Sequence, residues 1–162
     1  MRRGIFYCMS IKWVKYMWAL AFAMAVVLIC GAICSFINIE TDIFTTVRLP
    51  RGISGVIVSA GCAVSYALLI AVMSRLIVGG SGRYAAAVAV ICLLYIVWTI
   101  VFMGASSLAG GASVAFLIAV YSVGLGVVLF MKDWACGLIF TPIMLWHIYL
   151  AVMSLLTLRV NI

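Results

Sequence analysis

Five long apolar stretches, separated by short polar ones, make up almost the whole chain. They cover residues 13–37, 53–78, 84–104, 112–131 and 134–158. A helix rises about 1.5 Å per residue, so roughly 20 apolar residues cross a hydrocarbon core of about 30 Å. The pattern therefore predicts an all-α integral membrane protein, a five-transmembrane-helix bundle whose single domain covers residues 1–162.

The polar stretches predict the connections between these helices. Residues 38–52 form the longest of them, with room to act as a lid over one end of the bundle. Residues 79–82, with sequence GGSG, read as a turn. No strand precedes them and no Gly-Lys-Ser/Thr follows, so they do not resemble a phosphate-binding loop.

Composition supports the membrane class and argues against a soluble or nucleic-acid-binding protein. Hydrophobic residues make up 69% of the chain and charged residues 8%, whereas soluble domains average about 45–50% and about 25%. The net charge of +7 comes from basic residues at the ends of apolar stretches, not from a patch. These residues are expected to contact lipid headgroups, with the bilayer as a partner and no nucleic acid.

The distribution of Lys and Arg predicts an orientation. Seven basic residues fall on the N-terminal side of the bundle, namely Arg2, Arg3, Lys12, Lys15, Arg75, Arg83 and Lys132. Three fall on the other side, namely Arg48, Arg51 and Arg159. For a multi-pass protein of a bacterial inner membrane, the positive-inside rule then predicts a cytoplasmic N-terminus and a C-terminus on the opposite side.

Few residues in the apolar stretches could carry out catalysis or bind a metal. The three carboxylates, Glu40, Asp42 and Asp133, all lie in predicted connections, which argues against a proton-coupled pump and against paired-carboxylate catalysis. The six cysteines include no Cys-x-x-Cys pair. We therefore expect no catalytic residues, no metal site and no required cofactor.

His147, the only histidine, has two interpretations. It could ligate the metal of a haem or porphyrin, or hydrogen-bond a buried ligand. Alternatively it could bond a backbone carbonyl or a nearby hydroxyl such as Ser154 or Tyr149. The helical position places His147 about 100° around the helix from Trp146, which favours contact with a neighbouring helix.

Aromatic residues form stripes on two of the predicted helices. Tyr95, Trp98 and Phe102 share one face of the third, and Trp146 shares a face of the fifth with Tyr149. Such stripes usually serve packing. Two tryptophans at mid-membrane depth on different helices also suit a pocket for a flat apolar ligand.

Three segments resemble the tryptophan-rich sensory protein family, also called translocator protein or peripheral-type benzodiazepine receptor. Residues 94–104, LYIVWTIVFMG, are similar to its Leu-Asn-x-x-Trp-x-Pro-x-Phe-Phe-Gly segment, with Tyr95 in place of Asn and Ile100 in place of Pro. Residues 142–146, PIMLW, resemble its Pro-Tyr-x-x-Trp, and residues 159–161, RVN, its terminal Trp-Arg-x-Asn. The interval from Trp98 to Trp146 matches the family without a gap.

The resemblance implies a fold and a function. Family members are five-helix bundles, often dimers, that bind porphyrins, sterols or benzodiazepine-type drugs in a pocket beneath the first loop. Arg159 would fall on the basic end of the sterol-recognition segment. Matched residue by residue, Trp98, Phe102 and Trp146 would fall on pocket positions of the family. Together with the aromatic stripes and the neighbouring positions of the fifth helix, the expected ligand-binding residues are Trp98, Phe102, Trp146, Tyr95, Tyr149, Pro142 and His147.

The aromatic stripes and the resemblance together predict a receptor or carrier for a flat hydrophobic molecule, acting in its transport, sensing or regulation. The resemblance implies a porphyrin or haem-type tetrapyrrole as the ligand and a homodimer as one arrangement of the chain. Two alternatives remain open. One is a small-solute transporter or channel subunit, against which the lack of buried charge counts. The other is a porphyrin-degrading enzyme.

Overall fold

A computed structural model of the chain describes residues 2–41, 47, 48, 50 and 55–162, although the side chains of residues 2–12, 37–41, 103 and 104 are outside that description. It contains five long helices, and none of these residues lies in a β-strand. Most of the predicted first loop, residues 38–52, including its function as a lid, lies outside the described residues.

The helices are α1 (Arg2–Thr41), α2 (Gly55–Val78), α3 (Gly82–Thr99), α4 (Leu108–Lys132) and α5 (Trp134–Asn161), and α3 continues as a π-helical turn over Ile100–Gly104. Each of the five helices, with α3 taken together with its π-helical turn, contains a segment of at least 21 residues that is long and apolar enough to cross a bilayer. The predicted all-α, five-helix membrane bundle is therefore confirmed, and the chain is a multi-pass integral membrane protein.

Some helix boundaries differ from the predicted ones. Helix α1 extends well beyond residues 13–37 in both directions, because an apolar stretch marks only the part of a helix that suits lipid. Helix α4 begins at Leu108 instead of residue 112. The Ser107 hydroxyl accepts a hydrogen bond from the backbone N–H of Gly110 at 3.3 Å, which starts the helix before its apolar part.

The helices form a closed ring in the order α1, α2, α5, α4, α3, with the most extensive packing between α4 and α5. Helices α2 and α3 also pack against each other across the ring. Helix α1 packs extensively only on α2 and on α3 with its π-helical extension. It buries 22% of its best spanning window, whereas α3 buries 44%. Helix α3 is therefore the most embedded member of the bundle and α1 the least.

Glycines allow large side chains to lie between helices. A β-carbon at Gly61 of α2 would overlap the six-membered ring of Trp146 from α5. At Gly126 of α4 it would overlap the Met144 sulfur, also from α5. Because lipid supplies no hydrophobic drive between helices, this close packing is a principal source of their association. Small residues thus fix how α5 approaches α2 and α4.

An ion pair joins two parts of the bundle at the end opposite the first loop. Arg75 near the end of α2 contacts the Asp133 carboxylate in the α4–α5 turn, with Nε to Oδ2 at 2.7 Å and Nη2 to Oδ1 at 3.3 Å. The same carboxylate accepts from the backbone N–H of Ala135 at 3.1 Å and caps α5. The hydrogen bond from Arg75 lowers the pKa of Asp133 to about 2.

Replacing Gly61 and Gly124 by alanine should have opposite effects on stability. A β-carbon added at Gly124 would meet no neighbouring atom within 4 Å, so Gly124→Ala should be neutral or stabilise by up to about 1 kcal/mol. Gly61→Ala must displace the Trp146 ring and should destabilise by about 1–3 kcal/mol. Thermal unfolding in detergent measures both. Equal melting temperatures for the two variants would contradict the α2–α5 contact.

Acid should remove the contribution of Asp133 to stability. Its pKa is lower in the folded protein than its usual value of 3.8, so the stabilisation is complete above that pH and is lost as the pH falls through about 2. The melting-temperature difference between the wild type and Asp133→Asn should therefore shrink from about pH 5 to about pH 2, because protonation is linked to folding over this range. A difference that stays constant over this range would contradict the ion pair. Arg159→Gln, at the other end of the bundle, serves as the control.

Candidate functional site

A cavity of about 620 Å³ lies between α1, α2 and α3. Its walls come from the second half of α1, the first half of α2 and the last turns of α3. All of these parts are in the half of the bundle nearest the α1–α2 connection and the C-terminus of α5. Ligand pockets usually have volumes of roughly 300–1,000 Å³, so the cavity is large enough for a small molecule.

The cavity wall is predominantly apolar. No Asp, Glu, Lys or Arg belongs to the described lining, and small residues of α1 and α2 form much of it. The polar or polarisable groups in it are those of Cys34, Cys62, Tyr66, Tyr95, Trp98 and Thr99, together with two serines. Such a surface favours an apolar molecule with few hydrogen-bonding groups over a solvated ion or a sugar.

Trp98 is the unusual member of this wall. The side chain is only 4% exposed, and its Nε1 atom has no hydrogen-bond partner among the described residues. A buried donor without an acceptor costs about 1–3 kcal/mol, so such groups are rare in folded proteins. Because Nε1 itself has almost no accessible surface, an acceptor in the cavity would reach it only after the indole ring turns toward the cavity.

Phe102 holds Trp98 in place without lining the cavity. The two rings stack with centroids 5.1 Å apart and planes 9° apart. On its other side Phe102 packs against Gly111 of α4, where any β-carbon would overlap the ring. The predicted stripe on α3 thus divides into a cavity residue and a supporting residue.

Trp146 and its neighbours on α5 lie outside the cavity lining. Trp146 packs against Gly61 and stacks on Tyr149 with centroids 5.1 Å apart. Its Nε1 atom is also buried and has no partner among the described residues. Pro142 and Arg159 are exposed on the outside of the same helix. Of the seven predicted ligand-binding residues, the cavity therefore brings together Trp98 and Tyr95.

His147 lies inside the bundle with no exposed surface and bonds to two other helices. Its Nδ1 is 2.5 Å from the Ser122 hydroxyl of α4, and its Nε2 is 2.8 Å from the Tyr95 hydroxyl of α3. His147 therefore bonds hydroxyl groups, as one of the two interpretations predicted, but its partners are Ser122 and Tyr95 and not Ser154 or Tyr149. The His147 side chain extends from α5 into the interior of the bundle, so its hydrogen-bond partners belong to neighbouring helices. With both nitrogens engaged, no lone pair is left free for a porphyrin metal.

A second contact connects Tyr95 to α2 and, through α2, to α1. Its ring lies 5.4 Å from that of Tyr66 on α2, and the Tyr66 hydroxyl donates to the Cys34 sulfur of α1 at 3.6 Å. Tyr66, Cys34 and Ser122 were not among the site residues predicted from the sequence. Each is one of several weakly polar residues in a mostly apolar helix, and the sequence alone does not show which of them faces lipid and which faces protein.

Asn161, the last residue of the Arg-x-Asn ending, ties the first connection to the end of α5. Its Oδ1 accepts from the Arg48 backbone N–H at 3.1 Å, and its Nδ2 donates to the Arg48 carbonyl at 2.8 Å. Nδ2 also donates to the Thr157 carbonyl at 2.8 Å. These bonds hold part of the first connection against α5, at the end of the bundle nearer to the cavity.

Comparison with known proteins adds no family assignment. No family model matches the chain, and no curated protein matches it. The resemblance to the tryptophan-rich sensory proteins therefore stays a prediction carried by the quoted residues. Functional interpretation depends on the cavity and its polar groups.

The hydrogen bonds of His147 predict which ring nitrogen carries the proton. Burial without a described carboxylate nearby favours the neutral ring, which has one N–H. A proton on Nε2 would donate to Tyr95, and the Tyr95 hydroxyl proton would then go to Ser65, which also bonds the Tyr95 side chain. A proton on Nδ1 donates to Ser122, while Nε2 accepts from Tyr95. The second arrangement is favoured, because a phenol hydroxyl is a more acidic donor than a serine hydroxyl and makes the stronger bond to the basic ring nitrogen.

Nitrogen-15 NMR of histidine-labelled protein tests this, since one histidine gives one pair of ring signals. We expect a protonated Nδ1 in the wild type. Ser122→Ala removes the acceptor of that proton and should move it to Nε2. A wild-type ring protonated on Nε2 would contradict the proposed hydrogen-bond directions.

Proposed function

We propose that this protein is a membrane receptor or carrier that binds a flat apolar molecule in the cavity between α1, α2 and α3. The observation that carries the proposal is the buried Trp98 N–H, without a partner in the described part of the chain, in the wall of an uncharged cavity. The ligand would carry at least one hydrogen-bond acceptor, such as a carbonyl or carboxylate oxygen, that reaches this group.

The aromatic residues around Trp98 support a flat ligand. The Trp98 and Phe102 rings stack almost in parallel, and Tyr66 and Tyr95 add two further rings to the same wall region. Planar molecules gain contact area against such rings at little cost in conformational entropy. A flexible, strongly hydrated solute would gain much less from this surface.

A porphyrin-type tetrapyrrole has the properties that this site requires. It is planar and largely apolar, and a peripheral carboxyl group in its neutral form provides an acceptor that an uncharged cavity can hold. The resemblance to the tryptophan-rich sensory proteins supports the same class of ligand. We propose that its binding serves transport, sensing or regulation of the ligand, with His147 stabilising Tyr95 and not coordinating the ligand's metal.

Protoporphyrin binding to the purified protein tests the proposal. The wild type should enhance or shift the porphyrin's own emission in a saturable manner. Trp98→Phe keeps an aromatic side chain but removes the N–H donor and part of the ring. Loss of one hydrogen bond worth about 1 kcal/mol should lower affinity by roughly five- to tenfold. In the free protein, removal of an unpaired donor offsets part of the packing lost with the smaller ring, so the variant should remain folded, which its thermal unfolding checks.

Trp134→Phe provides the matched control. Trp134 is 68% exposed in the first turn of α5, at the opposite end of the bundle from the cavity. This variant should bind protoporphyrin as the wild type does. Absence of saturable binding to the wild type, or equal affinities for the two variants, would refute the proposed site.

A further inference from the structure

The cavity opens sideways through the surface between α1 and α2. Its inner wall is buried, as Val27 and Val58 are 2% and 6% exposed. The outer lining residues are instead exposed on the surface of the bundle. We call these residues the mouth, and they are Leu28, Ala32 and Ser35 of α1 with Ser59, Ala63 and Ala67 of α2.

The mouth is at a depth occupied by lipid. Its α1 residues lie within the spanning segment Trp13–Phe36, and its α2 residues lie within Gly55–Val78. Leu28 and Ala67 are many residues from either end of these segments, so the opening reaches toward the middle of the membrane. A molecule at the mouth would therefore come from the hydrocarbon and not from water.

Helices α1 and α2 pack extensively, but the hydrogen bond described between the two sides of the mouth is weak. Tyr66 donates to the Cys34 sulfur at 3.6 Å, and a thiol is a poor hydrogen-bond acceptor. The Tyr66 ring also covers Gly31, whose absent β-carbon would lie 3.6 Å from Cε2. Since α1 is the least embedded helix, movement of α1 away from α2 disturbs less packing than movement of any other helix would.

We infer that the ligand enters the cavity from the bilayer through the mouth, and that the Tyr66–Cys34 contact restrains this opening. The inference rests on the proposed binding function and assigns the route and the source of the ligand. The substrate class is then a molecule that partitions into the hydrocarbon before it binds. The described lining contains no charged group, so none has to be dehydrated when the ligand passes along this route.

Bulky residues at the mouth test the route. Ala32→Phe and Ala63→Phe narrow the opening from its two sides without replacing a buried residue. Ala25→Phe and Ala60→Phe make the same change at exposed positions of the same helices that do not line the cavity. All four variants and the wild type are reconstituted in vesicles, and protoporphyrin is delivered from a second population of vesicles. Stopped-flow porphyrin emission gives the association and dissociation rates.

A narrowed entrance slows passage in both directions. Ala32→Phe and Ala63→Phe should lower the association and dissociation rates by roughly tenfold each, with Kd changed by less than about threefold. The two control variants should keep wild-type rates. Tyr66→Phe, which loses the bond to Cys34, should raise both rates by about two- to fivefold, as expected for one weak hydrogen bond.

Two outcomes would overturn the route. One is wild-type rates in both mouth variants. The other is a higher Kd in these variants with an unchanged association rate, which would make the mouth part of the binding site and not its entrance. Either result leaves the proposed function intact if Trp98→Phe still weakens binding. Absence of protoporphyrin binding to the wild type would refute both proposals.

Discussion

A polar group inside a membrane has to find its partner within the protein, and the arrangement of α3, α4 and α5 depends on this constraint. Water is absent from the hydrocarbon, so an unpaired group there costs more than one at a soluble surface. His147 is buried completely, and its two nitrogens bond Ser122 of α4 and Tyr95 of α3. One side chain thus connects three helices and fixes their relative rotation.

Among the described residues, helix α1 has no connection of this kind to α4 or α5. Helix α1 packs extensively on α2 and α3 alone and buries the smallest share of its spanning window. Its contact with α2 includes a hydrogen bond to sulfur, which is weaker than the bonds of His147. The bundle therefore combines four well-connected helices, α2 to α5, with the less embedded α1, and the cavity lies between α1, α2 and α3.

The sequence was sufficient for the fold because hydropathy and helix length act locally. Five apolar stretches predicted five spanning helices, and these were confirmed. Side-chain partners were harder to predict, since they depend on which helices meet. Ser122 and Ser154 are both buried hydroxyls, yet only the position of α4 beside α5 makes Ser122 the partner of His147. The Trp98 and Trp146 pair was predicted to share a pocket, and the packing of Trp146 against Gly61 places it outside the cavity lining.

The unpaired N–H groups of Trp98 and Trp146 are the exceptions, within the described part of the chain, to the constraint that shapes the bundle. Trp146 fills the space left by Gly61, so its packing against α2 offsets the cost of an unpaired donor. Trp98 lines an open volume of about 620 Å³ and gains less packing on that side. Under the proposed function, an acceptor on the ligand relieves the cost at Trp98 once the indole ring turns toward the cavity. A bundle that already satisfies both nitrogens of His147 would then gain one further hydrogen bond when the ligand binds.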